Sequence, residues 1–107
     1  MRSIVLSLLA ATFLTTTAAV AADDPVTLGA AAYKTLRCSM CHKIQGSGGK
    51  IGPDLSDVGS RRDAAWLKKY LPDPKATIPG AKMPPVKTTL ENLDALVAYL
   101  TSLKSAK

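Results

Sequence analysis

Cys38-Ser39-Met40-Cys41-His42 decides how this chain is read. Two cysteines three apart, with a histidine directly after the second, have the spacing of covalent c-type haem attachment. Each thiol adds to one vinyl group of a porphyrin, and the two intervening residues let one helical turn reach both vinyls. The next residue then offers an imidazole to the iron from the proximal side. Competing readings meet obstacles of count and context. A zinc site wants about four nitrogen or sulfur ligands, and the chain holds two cysteines and a single histidine. A thioredoxin-like redox pair wants a βαβ setting, which no strand-rich pattern supplies here. A structural disulfide in an oxidising compartment stays open. His42 is the only histidine, so a bound haem has no rival proximal ligand of that kind.

The chain upstream indicates the compartment. Met1-Arg2 precedes an apolar run from Ile4 to Leu14, broken only by Ser7 and Thr12, and the small residues Ala18-Ala19-Val20-Ala21-Ala22 follow. These are the three parts of a secretory signal peptide over residues 1–22, with cleavage expected after Ala21 or Ala22. A retained anchor is the alternative, but the run is short for a span of ~20 residues and Thr15 to Thr17 dilute it. Residues 23–107 then form one exported, periplasmic domain. Export agrees with the haem motif, because c-type haem is attached outside the bacterial cytoplasm. A domain this small usually needs a staple, and the haem would supply one.

Lys and Arg number 14 against 8 Asp and Glu. Of these, only Arg2 lies in the leader, so residues 23–107 keep a net charge of +5. With no basic run and only 5% aromatic residues, nucleic-acid binding is not indicated.

Beyond the leader, Asp24 is an expected N-cap with Pro25 at the first helical position. Gly29 reads as a place where another helix approaches, since Tyr33 lies one turn further along. Lys43 to Leu55 contains four glycines and a proline, which predicts no regular structure. It lacks the Lys-Ser/Thr end of a phosphate loop, and a loop wrapping a flat cofactor fits better. Ser60 with Asp63 reads as a capped helix start. Leu67, Tyr70 and Leu71 share a face of that helix, and Pro72 and Pro74 are expected to end it. Trp66 is the only tryptophan; its indole N–H needs a partner if buried, and a haem propionate would supply one.

Ile78-Pro79-Gly80-Ala81-Lys82-Met83-Pro84-Pro85 reads as a stiff loop presenting one soft sulfur. Met83 is the only methionine beyond the leader outside the haem motif. A thioether suits the sixth position of haem iron and raises its potential. The last helix is expected to start at Thr88 or Thr89, with Thr88 and Glu91 as a capping box. Leu90, Leu93, Leu96, Val97, Leu100 and Leu103 recur at helical spacing.

Taken together, Cys38-x-x-Cys41-His42, Gly52-Pro53-x-Leu55, Lys82-Met83-Pro84 and the terminal helix ending Tyr99-Leu100 resemble a class I, mitochondrial-type cytochrome c. The resemblance spans Gly29 to Lys104. It implies an all-α fold, a few helices wrapped around one covalently attached haem c, with the first and last helices crossing at Gly29, Tyr33, Leu96 and Tyr99. It also implies that the Pro53 carbonyl accepts the His42 Nδ1 hydrogen and that Trp66 lies near a propionate. A narrower likeness covers Val58 to Leu67, Asp73-Pro74 and Pro79 to Pro84. It is similar to the cytochrome domains of haem–copper oxidase subunit II and of nitric oxide reductase, in which arginines placed like Arg61 and Arg62 lie near the propionates.

The expected site is therefore Cys38, Cys41, His42, Pro53, Arg61, Trp66 and Met83, with His42 and Met83 on the iron. With both axial positions filled, the expected role is a periplasmic one-electron carrier of the respiratory chain rather than an enzyme. A dedicated electron-transfer subunit of a periplasmic or membrane-bound oxidoreductase is the alternative. Expected partners are redox proteins with acidic docking surfaces, such as a terminal oxidase, a reductase or a periplasmic dehydrogenase. Lys43, Lys50, Lys82 and Lys87 are candidates to steer them. A monomer without a membrane span after cleavage is expected.

Overall fold

A computed structural model describes residues 9–16 and 24–104 of the chain. The predicted cleavage position after Ala21 or Ala22 lies outside the described residues. Residues 9–16 form neither helix nor strand, and Leu9, Phe13 and Leu14 in them are exposed. Among the described residues no helix is long and apolar enough to cross a membrane.

Helix α1 (Pro25–Thr35) starts where the sequence places it. Asp24 Oδ1 accepts the Thr27 N–H at 2.9 Å and Pro25 occupies the first turn. This satisfies an orphan amide of the helix end while using a residue that lacks one. The helix buries Gly29, Ala32 and Tyr33. At the other end of the chain, α5 (Leu90–Ser102) buries Leu93, Ala95, Leu96, Val97 and Leu100. The two helices cross at Gly29. A Cβ there would collide with the Ala95 carbonyl and stand 2.5 Å from the Tyr99 Cβ. One turn on, the Tyr33 and Tyr99 rings meet edge to face, 5.7 Å apart at 64°, a favoured aromatic geometry. The all-α expectation and its helix crossing hold.

Between these helices the chain forms a 3₁₀ turn (Cys38–Met40), strands β1 (Lys43–Ile44) and β2 (Ser47–Gly48), and three short helices: α2 (Val58–Arg61), α3 (Ala64–Tyr70) and α4 (Pro74–Thr77). Four expectations need correction. Residues 43–55 are not wholly irregular: β1 and β2 pair antiparallel, Lys43 with Gly48 and Ile44 with Ser47. Their two-residue turn has Gln45 at φ 49° and Gly46 at φ 82°, the left-handed pair a tight hairpin requires. Ser60 does not cap α3. It lies inside α2, which is drawn against α5 by the Gly59 N–H to Leu103 carbonyl bond at 2.9 Å. Asp63 is the cap instead, accepting the Trp66 N–H at 2.8 Å. Pro74 opens α4 rather than ending α3. Thr89, not Thr88, caps α5 by accepting the Asn92 N–H at 3.1 Å. Glu91 therefore falls one position short of a capping box, and Leu90, first of the leucine series, is 65% exposed.

The crossing predicts a sharp mutational contrast. Gly29→Val should lower stability by roughly 1–3 kcal/mol or more, because the new atoms meet backbone that cannot move aside cheaply. Ala31→Val, on the exposed face of the same helix, should stay within roughly 1 kcal/mol. Guanidinium denaturation midpoints of the haem-loaded variants measure both.

Candidate haem site

The chain leaves α1 through Arg37, whose φ of 58° is left-handed. That conformation costs a non-glycine residue roughly 1–2 kcal/mol, and it turns the backbone directly into Cys38. The 3₁₀ turn then closes through Cys41 N–H to Cys38 carbonyl at 3.2 Å and His42 N–H to the same oxygen at 3.0 Å. The spacing of the motif thus becomes one tight turn carrying both sulfurs and the imidazole. Both thiols are free and half-buried, so the disulfide alternative is not formed. Burial pushes the Cys38 thiol up. Among the described residues no group of three or more His, Cys, Asp and Glu side chains gathers as a metal site.

His42 is held on one side by main chain. Its Nδ1 lies 2.8 Å from the Pro53 carbonyl. A carbonyl only accepts, so Nδ1 carries the proton and Nε2 keeps its lone pair for a metal. The segment bearing Pro53 is tied to both flanks of His42. Gly52 N–H donates to the Cys41 carbonyl at 2.7 Å and Leu55 N–H to the Lys43 carbonyl at 2.8 Å. Gln45 N–H reaches Ser56 Oγ at 2.7 Å. A Cβ on Gly52 would lie 2.6 Å from His42 Cε1 and 2.8 Å from Nδ1, so only glycine lets this strand of backbone lie against the ring.

Met83 comes from the loop between α4 and α5. Ile78-Pro79-Gly80-Ala81 forms a turn with Ala81 N–H to Ile78 carbonyl at 3.0 Å and Gly80 at φ 85°, as a proline–glycine type II turn demands. Val86 N–H to Leu71 carbonyl at 2.8 Å fastens the far end of the loop to α3.

All seven expected site residues line one cavity of about 370 Å³. Its apolar walls include Leu67 of α3, Leu71 directly after it, and Leu96 and Leu100 of α5. A smaller cavity of about 180 Å³ shares Cys38, Cys41, His42 and Met83. Lys82 borders the first and Lys87 the second, whereas Lys43 and Lys50 border neither. Trp66 stacks on Tyr70 at 4.6 Å and 15°, and Arg62 lies over the Trp66 ring at 4.1 Å. Arg61 is engaged with protein partners, donating from Nη2 to the Asp54 carbonyl at 2.7 Å and from Nε to Asp57 at 3.1 Å. The Tyr33 hydroxyl and Thr77 Oγ1 are buried without a hydrogen-bond partner among the described residues. Burial, reinforced by Cys38 and Tyr99, pushes the Tyr33 hydroxyl up to about 12.

An apolar cavity with a CxxCH turn and a thioether in its lining fits a haem on the chemistry of its donors. These features define a small all-α haem protein. A family model for cytochrome c matches residues 26–104, and the chain belongs to that family. As a member it carries one covalently attached haem c, which Cys38 and Cys41 match as a CxxCH motif, and its role is electron transfer. It is 33% identical to cytochrome c2 iso-1 of Magnetospirillum molischianum, over 64% of this chain and 91% of that one. It is 34% identical to cytochrome c oxidase subunit 2 of Bacillus sp. (strain PS3), over 76% of this chain but 27% of that one. The SoxXA structure from P. pantotrophus shares the fold, with a TM-score of 0.66 at 22% identity, over 79% of this chain and 85% of that one.

The crowding at Gly52 yields a test. Gly52→Ala should displace the imidazole at a cost of roughly 1–3 kcal/mol. The haem-loaded variant should then unfold at a lower guanidinium concentration than wild type, as read by Soret absorbance.

Proposed function

We propose that the chain is a periplasmic one-electron carrier whose haem is linked through Cys38 and Cys41 and whose iron is held by His42 and Met83. The observation that carries this reading is the shared cavity. Both cysteines, the oriented histidine and the loop methionine contribute to one apolar lining, although Met83 lies far along the chain from the motif. When bound, the haem supplies a couple in which iron cycles between ferrous and ferric. The residues of the chain do the rest. His42, with its proton committed to Pro53, offers Nε2 as a strong donor. Met83 offers a soft sulfur that favours the ferrous state. Two retained ligands leave no open position for a substrate, which supports a carrier and not an enzyme. Leu67, Leu71, Leu96 and Leu100 keep water from the site, and Arg61, Arg62 and Trp66 supply donors and positive charge for the propionates.

In this reading residues 1–22 are a cleaved leader and 23–107 the working, monomeric domain. The positive balance favours redox partners with acidic docking surfaces, a terminal oxidase, a reductase or a periplasmic dehydrogenase among them. The likeness to an oxidase subunit favours a second reading, a dedicated subunit of one oxidoreductase complex. Co-purification separates the two: a shuttle elutes alone, a subunit with its complex.

Two outcomes are expected. Met83→Ala should abolish the weak far-red sulfur-to-iron absorption band of the oxidised protein, lower the midpoint potential and admit carbon monoxide or cyanide. A band and potential retained in that variant would move the ligand assignment to another group, Lys82 first. Separately, the rate of electron exchange with an acidic partner should fall as salt rises, because steering is screened beyond a Debye length of ~10 Å at 0.1 M. Stopped-flow rates that stay flat from low salt to ~0.5 M, where that length is shorter still, would reject steering.

A further inference from the structure

The Pro53 carbonyl is the group that orients His42, yet Pro53 has no N–H with which to anchor itself. The bonds from Gly52, Leu55 and Gln45 fasten its segment on the side of the haem motif. On the other side stands Arg61. Its Nη2 donates to the Asp54 carbonyl, one peptide unit beyond the Pro53 carbonyl, at 2.7 Å. Its Nε donates to Asp57 Oδ1 at 3.1 Å. Asp57 immediately precedes α2 and Arg61 is the last residue of that helix. The carboxylate therefore fixes the direction of the fork. Ser56, through its N–H at 2.8 Å, holds the Asp54 side chain as well. The peptide that grips the imidazole is thus clamped from both sides.

We propose that Arg61 and Asp57 are positioning residues for His42, fixing the Pro53 carbonyl and through it the hydrogen bond that orients the imidazole. Energetics favour this over a purely structural role. The Arg61 and Asp57 side chains are 46% and 43% exposed, and an ion pair that open to water adds little to stability. Its guanidinium fork, however, presents two N–H groups in a fixed plane. A fork spent on Asp54 and Asp57 acts on the iron through the protein, in addition to any charge it presents to a propionate. The proposal rests on His42 being an iron ligand.

The test uses the haem-loaded ferrous protein. Nuclear magnetic resonance reads solvent exchange of the His42 Nδ1 hydrogen, and potentiometry reads the midpoint potential. Arg61→Lys keeps the charge and loses the fork; Asp57→Asn keeps the shape and releases the fork's anchor. In both, exchange should accelerate about tenfold, the factor lost with one charge-assisted hydrogen bond. The midpoint of Arg61→Lys should rise, because a less firmly bonded imidazole donates less to ferric iron. Amide exchange in α5 should stay unchanged in both variants. Lys68→Gln breaks an ion pair with Asp94 at 2.9 Å away from the clamp and should leave the His42 proton at its wild-type rate. Wild-type exchange in either Arg61→Lys or Asp57→Asn, or equal acceleration in Lys68→Gln, overturns the proposal. If the wild-type His42 ring lacks the large upfield shift of an imidazole held against the porphyrin, the ligand assignment itself fails, and the proposal with it.

Discussion

Helices α1 and α5 approach so closely that Gly29 has no room for a side chain. Everything else is positioned from that contact. It sets Tyr33 against Tyr99 and fixes where α1 delivers the chain into Arg37 and Cys38. It also fixes where α5 presents Leu96 and Leu100 to the cavity. Packed interiors transmit such constraints because they are dense and yield little. A crossing held at backbone distance thus defines two walls of the haem cavity.

A second layer of order is built almost entirely from main chain. The motif turn, the small hairpin and the segment from Gly52 to Ser56 exchange hydrogen bonds on either side of His42. Glycine is needed where that backbone lies on the ring, at Gly52. The result is an imidazole with a defined tautomer before any metal is considered. Such a partner sets both the direction and the donor strength of a ligating histidine. The methionine side is organised differently. There a proline–glycine turn and one bond to the end of α3 hold a loop that would otherwise lack regular support.

The polar edge of the cavity combines charge with aromatic surface. Arg62, Trp66 and Tyr70 form a stacked column, while Arg61 turns toward the Pro53 segment. Two neighbouring arginines therefore serve different neighbours. Lys82 and Lys87 border the cavities, and Lys43 and Lys50 do not.

By itself, the sequence determined the cofactor chemistry and the helical class. These are legible because they depend on local spacing: two residues between thiols, a histidine next in line, apolar residues at the helical period. Asp24 as a cap and Gly29 as a crossing point were readable for the same reason. Position along a helix was less so. Asp63 rather than Ser60, and Thr89 rather than Thr88, became the caps because contacts with distant elements chose among near-equal local options. The hairpin of residues 43–48 hid in a glycine-rich stretch, since a ladder of two pairs leaves no alternating pattern. Only the tertiary structure decided that Met83 shares a cavity with the motif. That choice depends on closing a long loop around a common core, and no local interaction encodes where the ends of such a loop will meet.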